Sequence, residues 1–439
     1  MMRRKSSLIL LCVVMCIITL VMGCVRETGE SGEGNVEEIS LYILTGPTWI
    51  PLFHEMADNF MEEHPQIKLR LEIESSNMRI YYTKLLTRIA GGTAPDVAYI
   101  HPTWIIPFAE KNAVVELTPF LEKDEEVGLD SYYPIAIEPY KYKGGVYGLP
   151  ADFSCYVVYY NQNLFDEAKI AYPEDGWAWN DYLRIARALT KDFDKDGRID
   201  QFGCAGYGTG YGRFDAIWQA GGEIVDDYEN PRRCLLDSPE AIEGLQFCVD
   251  LVRKYHVAPT QPTEAGPKTM NAHDMFVAGK IAMLCDGCHI TPLLRDKIRD
   301  FKWDVVCLPK GKKKAAEVAG ISVAICAKPK HPQASWKLVK YIAGPGGQSF
   351  LVKTGWPIPS FKSQELREMF LSSHPPDNRQ AFLDTVNYTR FLPKTVCWSE
   401  ASHIIQEEVE AAFVGQKSSA DALRSATSRV NALLEDERK

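Results

Sequence analysis

Positive charge is scarce in this chain. Its 439 residues hold 49 lysines and arginines against 58 aspartates and glutamates, a formal net charge of −9. Nucleic acids and anionic lipid headgroups are bound by neutralising phosphate, so a chain this acidic argues against both as ligands. Catalytic signatures are scarce as well. "GPGGQS" (344–349) lacks the lysine of a phosphate loop, and "GYGTGYG" (206–212) departs from the dinucleotide-binding spacing. Neither G-x-S-x-G nor H-E-x-x-H occurs. Enzyme readings have little support; a carbohydrate-active enzyme would need a carboxylate pair across a cleft at glycosidase spacing. There is no internal repeat, and low complexity is confined to residues 25–38, "VRETGESGEGNVEE".

Long apolar runs are limited to one, "LILLCVVMCIITLVM" at residues 8–22, preceded by Arg3, Arg4 and Lys5. A positive start, a short apolar stretch and a small residue form an export signal rather than a span. Its end, Gly23-Cys24, resembles the lipobox of bacterial lipoproteins, with Met22 unusual for its place. The expectation is a signal peptide over residues 1–23, lipid on Cys24, and an acidic tether over residues 24–37 with too little apolar surface to fold. Loss of the signal takes the net charge to about −12. The mature chain is long enough for two lobes. It is placed at the outer face of a cell membrane, held by its lipid.

Of twelve cysteines, Cys12 and Cys16 leave with the signal and Cys24 takes the lipid, so nine remain and cannot all pair. Cys155, Cys307 and Cys326 lie in apolar runs, where a free thiol behaves as a small hydrophobe. Cys285, Cys288 and His289 stand in the order C-x-x-C-H. That spacing suits attachment of haem c, a Cys285–Cys288 redox pair, or a turn that carries the pattern by chance.

The first hundred mature residues alternate in period. "EISLYIL" (38–44) reads as a strand, and Trp49, Phe53, Met56 and Phe60 then share a helical face up to Pro65. "KLRLEIE" alternates as a strand, "RIYYTKLLTRIAGG" is a second helix stopped at Gly91-Gly92, and "PDVAYI" is a third strand. A β-α-β-α-β unit makes a parallel sheet covered by helices. With strand order 2-1-3, a ligand would sit beyond the first and third strands, near Thr45 to Trp49 and His101 to Trp104. Trp49 suits the core equally well. In "GWAWNDYL", Trp177 and Trp179 read as structural, with Asn180 capping the helix that follows.

An ordered set of phrases from about residue 38 to 435 carries a family resemblance: "GGTAPDVAYI", "FAEKNAVVELTPF", "YGLPADFSCYVVYYNQNLFDEA", "WQAGGEIVDD", "MFVAGKIAM" and "GISVAICAKPKHPQASWKLVKYI". The chain resembles the extracellular solute-binding proteins of bacterial ABC importers, in the sugar-binding group with the maltodextrin-binding proteins. The resemblance implies an α/β fold of the type II-like periplasmic-binding-protein kind. Each of its two lobes is a sheet flanked by helices, and a hinge joins them. The chain would cross between lobes more than once. Residues 38–150 plus about 318–355 would make one lobe, and about 151–317 plus 356–439 the other with the closing helices. It implies a monomer without enzymatic activity that closes on a sugar and presents it to an ABC permease with a separate ATPase. A peptide, a polyamine or another polar solute is the alternative within the fold.

Mapped onto this sequence, the family's ligand-facing places fall on His101, Thr103 and Trp104 after the third strand, and on Asp152 at the first crossing. Others fall on Tyr211 in the glycine-rich loop, and on Trp356 and Trp398 in later segments. Gly287 takes the family's turn glycine, which puts Asp286 and His289 at a ligand place where relatives use a ring. That mapping turns C-x-x-C-H into a ligand loop. No cofactor is required. "DFDKDGRIDQFG" (192–203) sets Asp192, Asp194, Asp196 and Asp200 at positions 1, 3, 5 and 9 of a calcium loop, with the Arg198 carbonyl at position 7. Gly203 replaces the closing glutamate, which leaves structural Ca2+ or a solvated acidic turn.

Overall fold

The computed structural model describes residues 36–208, 210–260 and 270–439, except for the side chains of residues 210 and 211. The signal, Cys24 and the tether up to residue 35 lie outside the described residues, as does the Tyr211 side chain. The chain opens with strand β1 (Glu37–Leu44), helix α1 (Ile50–Glu63), β2 (Ile67–Glu74), α2 (Met78–Ala90) and β3 (Val97–Ile100). Pro51 fits the first turn of α1, where its missing N–H costs nothing, and Phe53, Met56, Ala57 and Phe60 bury one face. Asn77 caps α2 by accepting the Ile80 N–H. The buried Tyr81 hydroxyl serves the Tyr42 and Tyr99 carbonyls, at 2.8 and 3.0 Å, and so pins α2 across β1 and β3.

After α3 (Pro102–Glu110) come β4 (Leu149–Asn161), α4 (Trp179–Leu189), β5 (Phe202–Ala205), α5 (Pro239–Arg253), α6 (Ala272–Val277), β6 (Ile281–Gly287) and α7 (Thr291–Lys297). The chain continues through β7 (Trp303–Cys307), β8 (Ala316–Ile325), α8 (Pro332–Ala343), α9 (Gln380–Val386), β9 (Thr389–Arg390), α10 (Trp398–Phe413) and α11 (Ser419–Glu437). Among the described residues the main sheet runs β2-β1-β3-β8-β4-β6-β5, with β7 on β4 and β9 on β8. The expected 2-1-3 order is present, β1 pairing in parallel with both β2 and β3.

Two long strands carry the sheet from one lobe to the other. The first half of β4 pairs with β8, and its second half with β6 and β7. β8 in turn pairs with β3 through Ser322 to Ile325. Where β8 passes β4 the register shifts between Ile321 and Ser322. Gly320 there has φ +156°, and a Cβ would stand 2.6 Å from the Asp152 carbonyl. Only glycine fits that crossing.

Apolar side chains gather above and below each half. Ile39, Phe53, Leu149 and Trp336 form one layer of the first lobe, and Tyr82, Ile100, Phe108 and Ala324 the other. Trp218, Leu245, Val306 and Ile405 form one layer of the second lobe, and Val157, Leu284, Val305 and Phe382 the other. All nine described cysteines are free thiols, and eight are buried. Cys285 belongs to one layer of the second lobe and Cys288 to the opposite one. The sheet separates them, so the pattern neither closes a disulfide nor presents two thiols to one haem. Trp177 donates to the Cys307 carbonyl at 2.8 Å, and Trp179 stacks on Phe247 with centroids 4.2 Å apart, both structural as expected. Asn180 is not the cap of α4. The helix begins at Trp179, and the Asp181 carboxylate accepts the Ala178 N–H instead.

Candidate ligand-binding site

The site begins at the carboxyl ends of β1 and β3. His101 caps α3: its Nδ1 accepts the Thr103 N–H at 3.3 Å and stands 2.9 Å from Thr103 Oγ1. Burial lowers the imidazole to about 4, so it is neutral at physiological pH. With Nδ1 accepting, the ring proton is on Nε2. Trp104, one residue on, is half-buried and stacks on Tyr82 with centroids 4.7 Å apart and planes 22° off. The Tyr82 hydroxyl accepts the His101 N–H, which locks the start of α3 to α2. Thr45 continues β1, its N–H donating to the Glu74 carbonyl. Trp49 sits at the turn into α1, 5.4 Å from Trp356 between centroids.

His101, Thr103 and Trp398 are brought together around one cavity. Its walls come from α3, from β8 and from the segment Phe391–Thr395 that leads into α10. Trp398 is 2% exposed and packs on Phe214, and its Nε1 is buried without a partner. Facing the same space is Glu317, a buried carboxyl on β8 that sequence reasoning passed over. Its Oε2 has no hydrogen-bond partner. Asp215 lies beside it, with Oδ1 accepting the Glu317 N–H at 2.7 Å and Oδ2 buried and unpartnered. Burial pushes both carboxyls well above the usual range, and Asp215 adds to the rise at Glu317 while Arg213 opposes it. The signal for Glu317 was available: an acid inside the small, apolar strand "AAEVAGIS" must find a reason to be buried.

Asp152 is not in that cavity. It is 3% exposed at the crossing, and its Oδ1 accepts the Ile321 N–H at 3.1 Å. Burial raises it to about 7. Asp286 and His289 form a separate group at the end of β6. His273 on α6 holds Asp286 Oδ2 at 2.6 Å, and His289 Nε2 lies 3.5 Å from Oδ1. Burial would raise Asp286, but the His273 bond and the His289 charge outweigh it and keep the carboxylate below its ordinary range. The His289 side chain remains 42% exposed. Trp356 packs between the two lobes' cores, and its Nε1 is buried and unpartnered.

In the acidic loop, carboxylate oxygens of Asp192, Asp194 and Asp200 lie within 4.8 Å of one another. Asp196 is not among them; its Oδ1 accepts the Arg198 N–H at 2.7 Å. Asp192 also receives the Gly197 N–H, and its Oδ1 is buried without a partner. An orphaned oxygen among three carboxylates fits a hard cation.

Two sheet halves on shared strands, with a gap lined from both sides, make a two-lobed frame with a place for a solute between the lobes. The chain belongs to the bacterial extracellular solute-binding protein family, whose model matches residues 46–349. That family works outside the cytoplasm and binds solutes rather than transforming them. An ABC substrate-binding protein from Listeria monocytogenes, solved with cycloalternan, is 27% identical with a TM-score of 0.82, over 91% of this chain and 99% of that one. A Brucella abortus protein described as a binding protein is 23% identical over 412 residues, 93% of this chain and 95% of its own. A maltotriose-binding protein of Pyrococcus abyssi is 26% identical over 323 residues, 72% of this chain and 64% of its own. No described helix is long and apolar enough to cross a membrane.

Proposed function

We propose that this protein binds an oligosaccharide between its lobes and delivers it to an ABC permease whose ATPase is a separate chain. One observation carries the sugar reading. Glu317 and Trp398, which carry a buried unpartnered carboxyl oxygen (Oε2) and a buried unpartnered N–H (Nε1), line the same cavity beside an aromatic wall. A sugar hydroxyl donates and accepts at once, and a ring face covers its C–H groups. The relatives named for cycloalternan and maltotriose support the same class. Thr45, Trp49, His101, Thr103 and Trp104 would contact the sugar from the first lobe, and Tyr211, Asp215, Asp286, His289, Glu317, Trp356 and Trp398 from the second. Asp152 would act at the hinge.

In this reading the lobes part to admit the sugar, since the cavity as it stands has space for about one water. The protein would work as a monomer, anchored outside the cell by lipid on Cys24, with its lobes divided near residues 150, 318 and 355. Asp192, Asp194, Asp200 and the Arg198 carbonyl would hold structural Ca2+, whose role is stability alone.

A thermal-shift screen against saccharides, peptides and polyamines tests the reading. A specific ligand at a hundredfold excess over its Kd stabilises by about 2.7 kcal/mol. The expected hit is one saccharide class. A response to peptides or polyamines alone would keep the fold and replace the solute.

A further inference from the structure

Two guanidinium groups lie side by side in the second lobe with nothing negative between them. Arg379, just before α9, is 1% exposed. Its Nη2 donates to the Gly355 carbonyl at 3.0 Å, while Nε and Nη1 are buried without a partner. Arg295, on α7, is half-buried. Its Nη1 donates to the Thr354 carbonyl at 3.0 Å and to Ser373 Oγ at 2.6 Å, and its Nη2 is buried and unpartnered. The two therefore hold the successive carbonyls of the dipeptide Thr354–Gly355. Their packing is tight: a Cβ on Gly355 would stand 2.2 Å from Arg295 Nη1.

Neither arginine has a carboxylate partner among the described residues. The ionisable neighbours that bear on Arg379 are Arg295, Cys288 and Tyr159, and Tyr159 also bears on Arg295. Cys288 and Tyr159 are buried with their own ionisation pushed far up, so both are neutral. Burial and the Arg295 charge lower Arg379 only to about 10, which leaves it protonated at neutral pH. Phe370 lies 3.8 Å and Phe382 5.7 Å from the Arg379 guanidinium carbon. Ring quadrupoles offset part of a buried charge, but they leave the repulsion between the two cations in place and satisfy no N–H in the guanidinium plane.

We infer that Arg295 and Arg379 bind a small monovalent anion of halide size, which cancels one of the two charges and takes up unpartnered N–H groups of both. A halide rather than a phosphate suits the place, since Arg379 is enclosed and a weakly hydrated monovalent ion loses less on leaving water. The half-buried Arg295 is the entry. The dipeptide leads directly into Trp356, so the anion holds the loop that carries this tryptophan between the lobes. The inference does not depend on which solute the protein binds.

Crystals of the protein grown in sodium bromide test it on the unaltered chain. The expected result is an anomalous peak within hydrogen-bond distance of Arg379 Nη1 and Arg295 Nη2. Ordered water there with no anomalous signal at saturating bromide would overturn the site. A second measurement is the melting temperature in sodium chloride and in sodium gluconate at equal ionic strength. Chloride is expected to raise Tm by several degrees in the wild type, and Arg295→Met to abolish the difference. An equal difference in the variant, or none in the wild type, would overturn it.

Discussion

Asp152 and Glu317 were both readable as acids in the sequence, yet they act in different surroundings. Asp152 is enclosed at the crossing, and its raised pKa of about 7 has a consequence for stability. The folded state binds a proton that the unfolded chain releases near pH ~4, so this residue's contribution is complete below ~4 and is lost as pH rises to about 7. Thermal unfolding of Asp152→Asn from pH 4 to pH 8 should show the variant gaining on the wild type across that window. A constant offset would contradict the assignment. Trp104 shows the other case, a half-buried ring with one neighbour stacked on it. Trp104→Ala should weaken solute binding about tenfold, roughly 1.4 kcal/mol, while moving Tm by only a few degrees. Equal affinity measured by calorimetry would remove Trp104 from the site. Positions fixed by local pattern, such as the stop of α2 at Gly91, were legible because chain neighbours determine them. Glu317 meets Asp215 across about a hundred residues, and His273 meets Asp286 from a separate helix. Such pairings leave no trace in local spacing.

Elements with one wet face were read well. α1 and α2 show their period because polar residues mark the outer side, and β2 alternates for the same reason. β4 was harder to bound, since all thirteen of its residues are buried and no alternation survives. The start of α4 was misplaced by two residues because Asn and Asp both cap helices, and Asp181 does so here from inside the first turn. Close approach between elements gives a sharp prediction. A Cβ on Gly203 would lie 1.9 Å from the Ala186 carbonyl, so Gly203→Ala must push β5 off α4. A loss of several kcal/mol is expected by chemical denaturation. A change below about 0.5 kcal/mol would contradict the packing. The neighbouring acidic loop should respond to metal: chelation with EDTA lowers Tm and added Ca2+ restores it, whereas Asp192→Asn is insensitive to both.

At the scale of the whole molecule, the family resemblance carried what composition cannot, namely two lobes with more than one crossing between them. One contact across the gap was not foreseen. Lys394, nearly enclosed, bridges Glu138 of the first lobe and Glu229 of the second, each at 2.8 Å. Only the lysine is enclosed, while Glu138 and Glu229 are partly solvated, so its removal leaves two screened carboxylates and costs about 1 kcal/mol. Lys394→Met should therefore enlarge the radius of gyration of the unliganded protein in small-angle scattering and weaken solute binding. An unchanged radius would mean that this pair does not hold the lobes together. Closure matters because a solute shifts the open and closed populations only by binding the closed form more tightly.

The central claim is that buried acceptors and aromatic rings between the lobes take up an oligosaccharide. Titration calorimetry of the wild type and Glu317→Gln against linear and cyclic gluco-oligosaccharides tests it most directly. The account predicts saturable one-to-one binding of at least one of them, weakened tenfold or more in Glu317→Gln. Saccharide binding left intact by that substitution, or heat released only with peptides or polyamines, would contradict it.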